Sequence, residues 1–212
     1  MEINMKILLL GATGMVGSRI LSEAVARKHQ VVAVARNPQN IKVTDGIVAL
    51  GLNVTDAQAV ASAAQDVDVI VSAVSPRNSD DAVADAAAIA QGVIGGAKQA
   101  NKRVLVVGGA GTLDLPDGNP VMSVLPDFIV PEATGMKNFR NDLQASDLDW
   151  SFFAPAATIE PGERTGNFRL GTDVLVSDSE GNSKISAEDF ACALVNELER
   201  PAHSGQIFTI GY

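Results

Sequence analysis

The chain has 212 residues, 46% of them hydrophobic and 4% aromatic, enough for one well-buried core and short for two. A formal net charge of −9 argues against wrapping nucleic acid through phosphate contacts, which need clustered Lys and Arg. One cysteine, Cys192, and two histidines, His29 and His203, exclude an internal disulfide and speak against a metal site built on Cys or His.

No apolar run reaches the length of a membrane span, and the start MEINMKILLL lacks a signal peptide's basic region and cleavage site, so the cytoplasm is the expected compartment. Residues 6–12 (KILLLGA) form a short continuous apolar run, as expected of a parallel strand buried on both faces. From Met15 onward, Val16, Ile20, Leu21, Ala24 and Val25 recur at helical spacing. Residues 31–36 and 46–54 read as the second and third strands. Residues 55–65 read as a short helix capped by Thr55 or Asp56.

A fourth strand is predicted over 68–74. The Ala-rich helix over 80–101 follows, weakened in its second half by Gly92, Gly95 and Gly96. Residues 103–109 read as the fifth strand. After a Pro- and Asp-rich loop come a helix over about 132–146 and a sixth strand over 149–155. The rhythm then changes to a Gly-rich, hairpin-like section up to Val176. A helix over 187–199 and a last strand from Gln206 complete the chain. Repeated βα units with short connections predict an α/β fold. It is a Rossmann-like, doubly wound parallel sheet with helices on both faces, in one domain spanning 1–212, elaborated from about 155 onward.

In such a sheet the ligand lies outside the carboxyl ends of the strands, where strand order reverses. Gly11, Gly14 and Gly17 follow the first strand and open the first helix. Gly11 turns the chain, Gly14 lets backbone approach a pyrophosphate, and Gly17 packs helix on strand. With Ala12, Thr13, Met15 and Val16 they form the expected phosphate cradle, whose helix N-terminus offers N–H groups to an anion. Three glycines serving only a tight turn are the bland alternative.

Arg36 stands at the end of the second strand, where an acid would select a ribose 2′-hydroxyl and an arginine suits a 2′-phosphate, so NADPH is expected over NADH. Asn53, beside Val54, ends the third strand and is placed for the adenine edge; Ala73, Val74 and Ser75 end the fourth at the same rim. Ser75 and Thr112 read as turn or cap residues before catalysts. Glu160, Glu163 and Arg164 read either as a substrate mouth or as a solvated loop. His29 is expected to cap a helix end or face solvent, and His203 to lie in a turn, neither with a catalytic partner. Cys192 reads as core. Trp150, Phe152 and Phe153 read as sheet packing, with flavin stacking open to whichever ring faces the rim.

With the glycine turn, Arg36, VVGGAGTL (106–113) and PAATIEPGERTGNFRLG (155–171) in view, the chain resembles the atypical short-chain dehydrogenase/reductases of the NAD(P)H-binding, NADH–flavin-reductase-like group. That group is related to biliverdin reductase B/flavin reductases and to NmrA-like proteins. The resemblance implies that residues 108–111, with Gly108 and Gly109, and residues 155–158, with Pro155, Ala156 and Ala157, flank the nicotinamide. It also implies backbone donors from 155–158 to the carboxamide. One departure stands out. The Tyr-x-x-x-Lys pair of ordinary members is broken: Lys137 is present, but Ala133 stands where the tyrosine would, and the single tyrosine is Tyr212. No catalytic residue is therefore assigned. The resemblance implies hydride transfer from NADPH to a flavin such as FMN or to a quinone-like acceptor, which needs no protein acid. The alternative it leaves is a non-catalytic NmrA-like redox sensor. Epimerisation fits poorly for want of the tyrosine. The expected partner is a small-molecule acceptor, with no nucleic acid or membrane, and the oligomeric state is left open.

Overall fold

The computed structural model describes residues 3–77 and 79–212. Its strands and helices alternate as β1 (Lys6–Leu10), α1 (Met15–Ala26), β2 (Gln30–Val34), β3 (Ile47–Leu50), α2 (Ala57–Ala63), β4 (Val69–Ser72), α3 (Ala82–Ala100), β5 (Arg103–Val107), α4 (Val130–Gln144) and β6 (Trp150–Ala154). Then come β7 (Thr158–Glu160), β8 (Arg169–Gly171), β9 (Lys184–Ser186), α5 (Ala187–Glu199) and β10 (Gln206–Gly211). The central sheet has eight strands in the order β3-β2-β1-β4-β5-β6-β10-β8. All its pairings are parallel except β10 with β8. This is the Rossmann-like architecture expected from the alternation, and its order reverses between β1 and β4.

The apolar strand runs are continuous because both faces are covered. Ile7, Leu9, Val31, Ala33, Val69 and Val71 point to one face and pack under α1 and α5, with Ile20, Ala24, Phe190 and Leu194. Leu8, Leu10, Val34, Ile70, Val104 and Val106 point to the other, under α2, α3 and α4, with Val60, Val93 and Phe139. Phe152 and Phe153 are adjacent on β6 and so enter opposite layers. Phe153 stacks between Phe190 and Phe208, at centroid distances of 4.3 and 4.1 Å. Neither ring is exposed, so neither is available to stack on a flavin.

Several expectations are corrected. The third strand is shorter than its apolar run, ending at Leu50 and leaving Asn53 and Val54 in the following turn. Asp56, not Thr55, caps α2, accepting from Gln58 and Ala59 N–H at 2.9 and 3.1 Å. The glycines of α3 mark its contact with α2 and the turn before it. A Cβ at Gly92 would stand 2.1 Å from the Val54 carbonyl oxygen, and one at Gly96 2.5 Å from Val60 Cγ1. Their cost in helix propensity is offset by an approach that no other residue permits. The section after β6 is not a hairpin: β7 pairs in parallel with β9, and β8 joins the main sheet against β10. Both partners lie later in the chain, which no local periodicity announces.

His29 is also corrected. It is buried, with Nδ1 accepting from Met5 N–H at 3.1 Å, so the ring proton sits on Nε2 and is donated to Glu199 at 3.0 Å. Its solvent role was inferred from the helix end; tertiary packing closed the position.

Candidate functional site

The carboxyl ends of β1, β2, β4, β5 and β6 share one edge of the sheet, and the candidate residues follow them there. Gly11 has φ +87°, and a Cβ on it would stand 2.8 Å from the Ala73 carbonyl oxygen. Its N–H and that of Ala12 donate to the Val34 carbonyl at 3.0 and 2.9 Å. The turn is thus fastened to the end of β2 and pressed against the end of β4. Gly17 is tighter: a Cβ there would lie 2.0 Å from the Gly11 carbonyl oxygen. Gly14 differs from both, for its nearest neighbour would be the Gly11 oxygen at 3.4 Å. Intramolecular crowding does not explain this glycine, whereas the approach of an external group would.

Gly14 is the N-cap of α1, no side chain caps the helix, and no acid lies in its first turn. Thr13 and Gly14 are exposed, with Met15 and Val16 half-buried behind them. The first N–H groups of α1 thus open at the switch point with no protein acceptor supplied, an arrangement suited to a phosphate. Arg36 is exposed at the end of β2 and has no hydrogen-bond or ion-pair partner among the described residues. Asn53 spends its side-chain oxygen on Thr55, accepting from N–H at 3.1 Å and from the hydroxyl at 3.0 Å, which leaves its amide NH2 free to donate. Ala73 and Val74 line the back of the glycine turn, and Ser75 is exposed beyond them.

On the other side of the reversal, Gly108 packs on Phe152: a Cβ there would lie 2.2 Å from Phe152 Cε1. Gly109 has nothing within 4 Å of that position and leaves open backbone at the end of β5. Thr112 is a turn residue, as expected; its hydroxyl donates to the Gly109 carbonyl at 2.8 Å. Arg140 on α4 holds the same turn, donating to the Thr112 carbonyl at 2.5 Å. Burial lowers the pKa of its guanidinium against the raising effect of Asp114 and Asp173.

Ala133 is buried under this turn. A Cβ added at Gly111 would stand 2.7 Å from Ala133 Cβ and 2.8 Å from Leu125 Cδ1. The Gly111 backbone and Leu125 therefore pack close beside position 133. Lys137, one turn on, is half-buried with no partner among the described residues. At the end of β6, Pro155 has no N–H, while Ala157 and Thr158 donate to the Ser183 hydroxyl and carbonyl at 3.1 and 3.0 Å. Among the described residues no acceptor is seen for the Ala156 N–H, and Ala156 is buried, so this segment offers fewer donors than the resemblance implied.

Arg164 and Tyr212 are structural. Arg164 lies in an exposed loop and forms a two-pronged bond to Glu23 of α1, both contacts at 2.7 Å, which ties that loop to the first helix. That bond holds the Glu23 carboxyl below its ordinary range, against burial and with help from Arg27. The Tyr212 hydroxyl donates to Asp189 at 2.8 Å; Asp189 also accepts from Thr165 Oγ1 at 2.6 Å and from Gly166 N–H at 2.7 Å. Asp189 is fully buried and was not singled out by the sequence reading, since one acid in an amphipathic helix carries no local signal. Burial raises the Cys192 thiol's pKa, fitting a packed core residue. Among the described residues no group of three or more His, Cys, Asp or Glu side chains can hold a metal, and no helix is long and apolar enough to cross a membrane.

The chain is similar to known proteins over nearly its whole length. A family model described as NAD(P)H-binding matches residues 11–201. The Bacillus subtilis (strain 168) protein YwnB, described as uncharacterized, is 32% identical over 97% of this chain and 98% of its own length. Two crystal structures superpose over nearly the whole chain. One is a Bacteroides thetaiotaomicron protein described as a candidate epimerase, 39% identical with a TM-score of 0.89, covering 99% of this chain and 98% of that one. The other is a Streptococcus pneumoniae protein described as a candidate NADH-flavin reductase, 27% identical with a TM-score of 0.84, covering 98% and 99%.

Proposed function

The chain belongs to the NAD(P)H-binding family, and from that premise we propose that it is an oxidoreductase passing hydride from NADPH to a flavin or a similarly flat conjugated acceptor. The observation that supports this reading is an open, uncapped glycine turn at the strand reversal together with an alanine, not a phenol, at the buried position 133. The similarity to the pneumococcal protein described as a flavin reductase supports the choice of acceptor.

The bound dinucleotide would supply the hydride. The chain's own residues hold and orient it. The backbone of residues 11–16 receives the pyrophosphate, Arg36 the 2′-phosphate, and the Asn53 amide the adenine edge. Ala73–Ser75, Gly108–Gly109 and Pro155–Ala157 then border the nicotinamide end, with the Ala156 N–H as the remaining donor in the last segment. No side chain is assigned as proton donor: Tyr212 is committed to Asp189 and Thr112 to Gly109, and the reading takes the proton from solvent, as reduction of a flavin permits. Orientation and exclusion of competing reactions are then the protein's main contribution. This chemistry fits the cytoplasm, where NADPH is replenished.

The test is anaerobic oxidation of NADPH with FMN, followed at 340 nm. Steady, enzyme-dependent loss of absorbance is expected, faster with NADPH than with NADH. Tight NADPH binding without turnover on FMN or on a panel of small quinones would overturn the reading in favour of a redox sensor.

A further inference from the structure

Arg27 and Arg103 are drawn into the fold by carboxylates, Arg27 by Glu23 at 2.6 Å and Arg103 by Glu197 at 2.9 Å. Arg140, half-buried on α4, is not: it forms no ion pair among the described residues. Asp114 and Asp173 act on its charge without pairing with it. Its Nε is buried and has no hydrogen-bond partner. A buried charge that is neither paired nor fully hydrogen-bonded is costly, so stability does not account for an arginine here.

What Arg140 does hold is a carbonyl. Its Nη1 donates to the Thr112 oxygen at 2.5 Å, and no backbone N–H among the described residues takes that oxygen. Thr112 reaches back to Gly109 twice, its N–H and its hydroxyl donating to the Gly109 carbonyl at 3.0 and 2.8 Å. Both lone pairs of that oxygen are thereby taken within the turn. The rest of Gly109 is open. Its N–H finds no acceptor among the described residues, and nothing lies within 4 Å of where a Cβ would stand. The chain beyond Thr112 has fastenings of its own: Asp114 N–H donates to the Asp173 carbonyl and Leu175 N–H to the Asp114 carbonyl, both at 2.8 Å. Arg140 is therefore not what keeps that chain in place. It fixes the orientation of the Thr112 peptide, and through it the turn from Gly109.

We propose that Arg140 is a positioning residue for the nicotinamide: through the Thr112 peptide it holds the open Gly109 backbone toward the ring, without touching the ligand itself. The inference rests on the reading that Gly109 borders the nicotinamide of a bound dinucleotide, and it adds the group that sets that border.

Arg140→Met keeps the reach of the side chain and removes its charge and hydrogen bond; Arg140→Lys keeps the charge and a donor. Dissociation constants would be measured for NADPH and for ADP-ribose 2′-phosphate, which is the same dinucleotide without its nicotinamide, alongside urea denaturation. Arg140→Met should unfold at the wild-type urea concentration, bind ADP-ribose 2′-phosphate as wild type and bind NADPH about tenfold more weakly, with Arg140→Lys recovering most of the loss. Equal NADPH affinity in wild type and Arg140→Met overturns the proposal, as do equal losses for the two ligands, which would mark a merely structural role. If Arg140→Met does not fold, Thr112→Val decides, since it removes only the hydroxyl bond to Gly109; without the same split between ligands the proposal falls.

Gly109→Val tests the premise separately. Nothing in the protein obstructs its side chain, so it should fold and lose NADPH affinity but not that for ADP-ribose 2′-phosphate. Unchanged NADPH affinity would remove Gly109 from the site, and Arg140 with it. The reductase reading fails on different grounds. FMN turnover by wild type without a ligand split in Arg140→Met retains the reductase and removes the positioning role. A split without NADPH oxidation retains the positioning role and removes the reductase.

Discussion

The two halves of the candidate site are shaped by different forces. On the dinucleotide side of the proposed site, backbone meets backbone: Gly17 approaches Gly11, Gly11 approaches Ala73, and the Gly11 and Ala12 N–H groups donate to the Val34 carbonyl. On the acceptor side the segments after β5 and β6 take their shape from residues far away. Ser183 holds Ala157 and Thr158, Asp189 holds Thr165, Gly166 and Tyr212, Glu23 holds Arg164, and Arg140 holds Thr112. The first half is specified by the absence of side chains and the second by side-chain ties across the fold. On the proposed reading, dinucleotide binding would draw on features that any chain with this turn can use, while acceptor choice would sit on a frame that distant substitutions can alter.

The largest effect that would sharpen this contrast is at Gly17. Gly17→Val places a side chain on the Gly11 carbonyl and should cost about 3 kcal/mol or abolish folding, read by urea denaturation. Gly14→Val has no such obstacle within the protein; it should fold, yet lose affinity for both NADPH and NADH in a fluorescence titration. If the two variants behaved alike, packing and ligand approach would not be separable along this turn.

On the other side, Asp189→Asn keeps the shape but removes the charge accepting three hydrogen bonds. A loss of about 2–3 kcal/mol is expected by the same denaturation, with acceptor kinetics disturbed more than NADPH affinity. Tyr212→Phe removes one of those donors and should cost about 1 kcal/mol. Arg36→Ala should weaken NADPH by about 10–100-fold and NADH little, measured by calorimetry, since only the former carries the 2′-phosphate. Equal losses would remove Arg36 from that role.

The smallest effect concerns acid. Glu23 has a folded pKa held below its ordinary value of about 4.3, so its contribution is present above that value and is lost as pH falls through the folded pKa. Glu23→Gln should therefore show a shallower fall in stability below about pH 4 than wild type, in melts across a pH series. Parallel curves would show that the Arg164 tie adds nothing beyond neutral hydrogen bonds.

Much of this was legible before folding was considered. The apolar runs over 6–12, 31–36, 68–74, 103–109 and 149–155 announced parallel strands, which end a few residues earlier in the structure, and the glycines announced the turn between the first strand and helix. His29, Arg164 and the pairings of β7 and β8 were not legible, because each has a partner with no fixed distance along the chain. The exposure of Phe128 was hidden for a related reason: a phenylalanine in a Pro-rich stretch reads the same whether it is covered or bare.

The sequence by itself determined the alternation of strands and helices, the two-faced core and the position of the glycine turn at the strand reversal. Those follow from local steric rules and from a hydrophobic period repeated within each element. Only the tertiary structure decided which backbone donors of residues 155–158 are claimed, how closely position 133 is packed and which aromatic ring stays in solvent. Hydrogen bonding and burial are properties of pairs brought together by the fold, so a residue's availability for chemistry is settled by what the rest of the chain has already claimed.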